Sequence, residues 1–421
     1  MKNSNIQWIG TIPDSWHLDR LQWHLDEKKE SNNPVKTQQV LSLTNKLGVI
    51  PYEEKGEQGN KSKENIDEYK LAYPDTIVAN SMNILIGSVG KCNYFGCVSP
   101  VYYVFKPKNG ENIDFLNYIF QLTQFQKELR KYANGILEIR LRVSSNDILK
   151  RQIAFPSEKE QQRIVTFLDE KTAKIDKLIE IENKQIEKLK EYKQAVITEA
   201  VTKGLDKSAP MKDSGVEWIG KIPEEWNIIQ TKFLFEIITG STPDSGDTNN
   251  WDGDIKWITP ADFKTENVYV EKGKRNISLV GLKSCSTTVI PKDNIIFSKR
   301  APIGLVAINI NDLCTNQGCL SCVKKGNFST KYFYYQMSVM TEFFELFGSG
   351  TTFKEISAQK FGSFKLIFPD VQAQFNIVVY LDKKCAEIDS LISIKQKKID
   401  MLNEYKKSLI YEYVTGKKEV V

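Results

Sequence analysis

The sequence predicts an α+β protein made of two similar globular segments, each followed by a long helix, with the two helices pairing as a coiled coil. Three observations carry this. Between Ser157 and Gly204 apolar residues fall at alternating steps of four and three, with no proline among them. The same pattern recurs 213 residues later, as Pro369 repeats Pro156. A Trp-Ile-Gly-x-Ile-Pro-x-x-Trp motif opens each half, from Trp8 to Trp16 and again from Trp218 to Trp226. The chain is one long unit written twice.

Size and composition fit that plan. At 421 residues the chain is too long for one compact core. Hydrophobic residues make up 41% and aromatics 11%, enough for packed domains rather than disorder. Lys and Arg outnumber Asp and Glu by 58 to 53, a mildly basic balance that fits nucleic-acid binders and many enzymes alike. No apolar stretch follows Met1, and no run approaches a membrane span. A cytoplasmic protein with no membrane partner is expected.

Residues 1–156 form the first globular segment. Short apolar runs at 40–43, 76–79, 84–87 and 101–105 read as strands. A helix is expected over 114–132, where Phe115, Tyr118, Ile119 and Leu122 share a face, then a strand over 136–143 carrying Arg140 and Arg142. The first long helix follows at 157–204. Ser157 and Glu160 have the spacing of a capping box, and Gly204 suits a left-handed end. Its seam is Ile175, Ile179, Ile186, Leu189, Val196 and Ala200, with polar Glu182 and Lys193 filling the gaps. At about 1.5 Å per residue such a helix spans roughly 65 Å, and a seam this narrow needs a partner.

Residues 205–215, rich in Lys, Asp, Ser and Gly, read as a linker. The second globular segment, 216–369, repeats the plan with strands near 257–258, 289–290, 294–298 and 304–308 and a helix over 331–347. The second long helix, 370–416, carries the matching seam of Ile388, Ile392, Ile399, Leu402, Leu409 and Tyr413, with Lys395 and Lys406 at the polar places.

Motifs for catalysis are missing. Gly87-Ser88-Val89-Gly90-Lys91 is too short for a phosphate-binding loop and is followed by Cys92, and no methyl-donor motif is present. His17 and His24 are the only histidines, too few for His-based chemistry in two equivalent halves. Cys319-Leu320-Ser321-Cys322 has the gap of a zinc half-site, but no further ligands suit it, so buried strand cysteines are expected and no metal. Seven cysteines, an odd number, argue for free thiols. The expectation is a protein with no active site and no cofactor of its own.

Binding signals are stronger. Gly240-Ser241-Thr242-Pro243, Trp251-Asp252-Gly253, Trp257-Ile258-Thr259-Pro260, Lys299-Arg300-Ala301-Pro302, Thr315-Asn316-Gln317-Gly318 and Gly350-Thr351-Thr352-Phe353-Lys354 set polar side chains beside glycine and proline. Such residues reach base edges and phosphates from loops, though each taken singly is also an ordinary turn former. The DNA-contact candidates are Arg140, Arg142, Ser241, Thr242, Lys299, Arg300, Asn316, Gln317, Thr351, Thr352 and Lys354. The Trp-Ile-Gly-x-Ile-Pro-x-x-Trp motif is expected to pack against the start of the long helix rather than to stack on bases.

Together the twofold repeat, the two tryptophan motifs, the Gly-Ser-Thr-Pro and Trp-Ile-Thr-Pro run, Arg-Ala-Pro-Ile-Gly and the two proline-to-helix junctions resemble the specificity subunit of type I restriction–modification systems. The resemblance covers essentially the whole chain. It implies two target-recognition domains that read the parts of a split double-stranded DNA site, and two long helices pairing antiparallel. It implies two docked methyltransferase (modification) subunits carrying S-adenosylmethionine, and two restriction subunits able to join, with ATP and Mg held only on partners. The first half lacks Gly-x-Thr-Pro and Arg-Ala-Pro-Ile-Gly, offering Asn80-Ser81-Met82 and Gly96-Cys97-Val98-Ser99-Pro100 instead. Base-contact residues therefore do not transfer between halves. A coiled-coil scaffold that binds no DNA is the competing reading; it would share the helices but need no reader surfaces.

Overall fold

The computed structural model describes residues 1–44, 48–55, 65–108, 111–134, 141–263, 267–348 and 354–420. Two continuous helices, Glu158–Lys203 and Val371–Val414, run for 46 and 44 residues. The chain divides into two units, Met1–Glu182 with Lys397–Val421, and Asn183–Gln396, so each unit takes one half of each long helix.

Each unit is built on an antiparallel sheet backed by two short helices. In the first the strand order is Leu25–Lys28, Tyr102–Pro107, Thr76–Asn80, Val89–Cys92. In the second it is Phe235–Thr239, Cys319–Lys324, Ile295–Ser298, Val306–Asn309, with Tyr269–Val270 joining parallel at the edge. Alternation along the strands sorts side chains between two cores. Ile77, Ala79 and Phe105 face helices Ile113–Gln121 and Thr123–Arg130, while Val78 and Val104 face Leu41 and Val49. In the second unit Ile295, Phe297 and Leu320 face helices Thr330–Ser338 and Thr341–Leu346, and Ile296 and Cys319 face Ile258 and Leu313. Cys319 and Cys322 therefore lie on opposite faces of one strand, unable to share a ligand.

The long helices are fastened to the sheets in the same way in both units. Strand Gln152–Phe155 pairs with His17–Arg20 and leads through Pro156 into the first helix; Lys365–Phe368 pairs with Asn227–Gln230 and leads through Pro369 into the second. The side-chain amides of Gln161 and Gln374 donate to the carbonyls of Pro156 and Pro369 at 3.2 and 2.9 Å. Tyr118 donates its phenol hydrogen to Asp169 at 2.5 Å, and Tyr335 to Asp382 at 2.6 Å. The tryptophan motifs sit where helices begin and end. Buried Trp16 donates its indole N–H to Glu160 at 3.0 Å, and the ring of Trp226 covers Gly204. Gly416 has φ +71°, and a Cβ there would stand 2.4 Å from Pro13 Cδ, so only glycine fits this close approach.

Within each unit the helix halves run antiparallel. From Asp176 to Glu182 the first helix advances while its ion-pair partners retreat from Lys406 to Lys398. In the second unit Gln185 and Lys193 meet Lys395 and Asp389. These bridges are repeats of one another: Asp176–Lys406 becomes Asp389–Lys193 when each residue is replaced by its counterpart. The seam residues Ile175, Ile186, Val196, Ala200, Ile388, Ile399 and Leu409 are buried, and Ile179, Leu189, Ile392, Leu402 and Tyr413 half-buried. Glu182 is buried in the seam and held by Lys398 at 2.6 Å. A polar side chain buried in a seam, with its partner reaching in from the surface, specifies register at some cost in stability.

Several sequence expectations need correction. The helix expected over 114–132 is broken at Leu122, which is extended at φ −64°, ψ 124°. The Gln126 amide bonds the carbonyls of Phe120 and Gln121 at the break, and Phe120 then meets Phe125 edge-on at 5.5 Å. The helix expected over 331–347 likewise parts between Ser338 and Thr341. Ile84–Ile86 is a 3-10 turn rather than a strand, because Gly87 at φ +89° turns its N–H back onto Ile84. Near 289–290 there is only an isolated bridge between Ile290 and Leu313. Glu160 does not close a capping box; its carboxylate is taken by Trp16. Most of the strand expected over 136–143 lies outside the described residues. Met211–Asp213, in the stretch that reads as a linker, forms a short strand that pairs with Lys221–Pro223 as Lys2–Asn3 pairs with Thr11–Ile12.

Candidate nucleic-acid interface

In the second unit the candidate residues converge on one set of loops. Gly240 lies against the chain at Thr315, where a Cβ would come within 2.2 Å of the carbonyl oxygen. That contact lets the Ser241 N–H reach the Thr315 carbonyl at 2.9 Å and brings the Thr242 hydroxyl onto the Gln317 side chain. Trp257 donates to the Ser241 carbonyl at 3.1 Å and Trp251 to that of Asp244 at 3.0 Å, while the two indoles pack edge-on. The tryptophans so fix the loop rather than face outward. Asn316 uses its side-chain oxygen on the Gly318 N–H, leaving Gln317 exposed at the tip. Gly240→Ala should force the loops apart, costing about 1–3 kcal/mol and weakening DNA binding with it. Melting temperature and a gel shift on the same protein test this; an unchanged pair of values would show that the contact does not hold the loop.

Lys299 and Arg300 follow strand Ile295–Ser298 and join the same surface, since the Lys299 N–H donates to the Gly318 carbonyl at 2.9 Å. Lys299 is only 9% exposed, with its ammonium 3.9 Å from Glu355. Arg300 is half-buried and donates its Nε–H to Glu355 at 2.7 Å. That hydrogen bond, with Lys299 alongside, holds the Glu355 carboxyl below its ordinary range. Lys354 is exposed beside Glu355. Thr351 and Thr352 lie outside the described residues. Sequence reasoning missed Glu355 and also Arg275, whose guanidinium stacks 3.8 Å over Trp251. No local signal ties Glu355 to an arginine 55 residues away.

In the first unit Arg142 is exposed, its guanidinium 3.7 Å from the Met82 sulfur, and Arg140 lies outside the described residues. Cys92, Cys314, Cys319 and Cys322 are buried, and burial pushes each thiol upward, Cys92 and Cys314 to about 11. Among the described residues no cluster of His, Cys, Asp or Glu is arranged to hold a metal. None of their helices is long and apolar enough to cross a membrane.

A second surface lies on the helices themselves. Leu178, Ile181 and Tyr192 are exposed on the first helix, and so are their counterparts Leu391, Ile394 and Tyr405 on the second. Leu178 and Ile181 stand three residues apart beside the seam, with Tyr192 eleven further on, and the second helix repeats this spacing, so an apolar flank is written twice. Met401 extends it on the second helix; Lys188 takes that place on the first.

What fold and surfaces define is a duplicated protein: two sheet-based units with differing loop tips, each fastened to its own stretch of antiparallel helix pair. A protein-family model described as "Type I restriction modification DNA specificity domain" matches residues 30–191 and 223–416. The chain belongs to that family, with one specificity domain in each half; it is a specificity component, not a catalytic one. It is 35% identical over 189 residues to the type I restriction enzyme MjaIX specificity subunit of Methanocaldococcus jannaschii, a match covering 44% of this chain and 43% of the relative. To the putative MjaX specificity subunit of the same organism it is 26% identical over 442 residues, covering 97% and 95%. Among solved structures, a chain from a study of complex assembly and conformational transition of the type I R-M system aligns with TM-score 0.74 at 14% identity, covering 96% of this chain and 98% of that one. The HsdS subunit of Thermoanaerobacter tengcongensis aligns with TM-score 0.52 at 14% identity, over 97% and 98%. At these identities the structures speak for the fold.

Proposed function

We propose that this chain is the DNA-reading subunit of a cytoplasmic type I restriction–modification complex, each unit reading one part of a bipartite site. The observation that carries the reading is a repeated scaffold with unrepeated tips. Strand order, helix fastening and spine ion pairs recur in both units, whereas Asn80-Ser81-Met82 stands where the second unit has Ser298-Lys299-Arg300. Scaffold repetition with divergent tips suits two readers of different half-sites; a coiled-coil scaffold alone would have no need of it.

Two methyltransferase subunits would dock on the duplicated apolar flank, one to each copy. S-adenosylmethionine, ATP and Mg would be held by partners, with restriction subunits joining the same complex. Arg142 in the first unit and Arg300, Gln317 and Lys354 in the second are candidates that would meet DNA, with half-buried Ser241, Thr242 and Asn316 and buried Lys299 in support. The domains taken as readers are 1–156 and 216–369, those taken as spacers 157–204 and 370–416, with 205–215 between.

The test is an exchange. Residues 216–369 are replaced by the matching domain of another family member, and methylated adenines are mapped in a host carrying the complex. One half of the motif should change and the other stay. A change in both halves, or no change, would overturn modular reading, and a complex that shifts no DNA in a gel would favour the scaffold.

A further inference from the structure

The two tips are built on the same backbone rung although their sequences differ. In the second unit the Lys299 N–H donates to the Gly318 carbonyl at 2.9 Å, and its own carbonyl accepts from Ile356 at 3.0 Å. In the first unit Ser81 makes the same pair of bonds, to Val101 at 3.4 Å and from Val143 at 3.2 Å. Ser81 therefore stands where Lys299 stands, Met82 where Arg300 does, and Arg142 where Glu355 does. At this rung each unit has one guanidinium and one partner side chain across from it. The chain segment that supplies the arginine is opposite in the two: Arg300 over Glu355, and Arg142 over Met82.

We infer that this rung is a guanine-reading position in each unit, filled by Arg300 in the second and by Arg142 in the first. The inference rests on the DNA-reading function proposed above and names the base each unit selects. Three features favour a base edge over a phosphate. Glu355 binds the guanidinium through Nε alone, at 2.7 Å, which fixes its plane and leaves the two terminal nitrogens as a fork. A fork of that geometry matches the O6 and N7 acceptors of guanine in the major groove. The carboxylate also lies 3.9 Å from Lys299 and offsets one of the two cations on the rung, which weakens, without removing, the pull on an anionic phosphate, whereas a neutral base edge loses nothing. In the first unit Met82 replaces the carboxylate with an apolar, polarizable support, its sulfur 3.7 Å from a terminal nitrogen of Arg142, and Ser81 stands where the second unit has the further cation Lys299. Glu355 and Met82 are positioning residues, acting through the arginines they hold.

The test uses the chain assembled with its modification subunits and reads the methylated motif from host DNA. The unaltered complex should show at least one G·C pair in each half-site. Arg300→Lys keeps the charge but loses the fork, and should relax discrimination at one G·C position of one half-site by roughly ten- to a hundredfold. Arg142→Lys should do the same in the other half-site and leave the first alone. Glu355→Gln should relax the position that Arg300→Lys relaxes, by less. An A·T-only half-site in the unaltered motif, or lysine variants with the motif unchanged and methylation reduced equally at all sites, would overturn the assignment. Failure of the underlying reading looks different: the unaltered complex would yield no bipartite motif at all.

Discussion

A complex assembled from the Ile181→Glu, Ile394→Glu double variant is expected to contain no methyltransferase subunit and to methylate no DNA. Both isoleucines are exposed in the chain, at 40% and 59%, so glutamate at either place should leave the fold intact. They are counterparts in the repeat, and each stands on an apolar flank with Leu178 or Leu391 one helical turn away. If a partner covers that flank, an unpaired carboxylate is buried on assembly. Such burial costs about 3 kcal/mol or more, roughly a hundredfold or more in affinity at each site. Single variants should therefore keep one partner per chain and the double variant none. Native mass spectrometry of the assembled complexes reads this directly. A double variant that still assembles with two partners would remove the flank from the proposed function, and one partner lost from both singles and double alike would show that the copies are not equivalent.

The spine was legible because a long seam repeats one physical requirement many times. Six of the eight steps from Ile175 to Ala200 are apolar, with Glu182 and Lys193 the exceptions, and the second helix shows the same pattern. Its flank was not read, although Leu178 and Leu391 are as apolar as the seam. Periodicity says which residues share a face, not which face is left uncovered. The breaks at Leu122 and after Ser338 escaped for another reason. Helix propensity continues through both, and the cost of breaking is offset by Gln126 capping loose carbonyls and by phenyl rings meeting across the turn. The tips were legible as loops of the right residue types. Their partners were not: Glu355 meets Arg300 only because two chain segments far apart in sequence form one rung, and the correspondence of Ser81 with Lys299 lives wholly in backbone hydrogen bonds. The Tyr118–Asp169 and Tyr335–Asp382 ties lay between these cases, since the aspartates recur in the repeat but the tyrosines are offset by four residues more.

Stability should fall steeply above pH 9, and the second unit should be the more sensitive. The groups concerned are buried acids that stay neutral in the fold. Burial pushes Tyr334 up to about 12, with Cys385 and Asp389 adding to it, and Cys92 and Cys314 up to about 11. Tyr118 and Tyr335 are raised as well, by burial first and then because each donates its proton to an aspartate on a long helix. The sign follows from linkage. An unfolded thiol ionises near 8.5 and an unfolded tyrosine near 10, while the folded chain keeps both protonated. Above those values the unfolded state binds fewer protons, so stability drops as pH rises. Each contribution is whole below the unfolded value and lost as pH climbs through the folded one: from about 9 to about 11 for the thiols, and from about 10 to about 12 for Tyr334. A displacement of that size is about 2–3 kcal/mol per group, and a typical domain has only about 5–15 kcal/mol in all. Cys314, Tyr334 and Tyr335 all fall within Asn183–Gln396, whereas the first unit has Cys92 and Tyr118. Guanidinium unfolding at pH 8, 10 and 11 should show the midpoint falling at each step, and Cys314→Ala should shrink the fall between the first two. A midpoint that holds from pH 8 to pH 11 would mean that these side chains reach water in the folded protein, and with that the buried ties between sheets and spine would have to be given up.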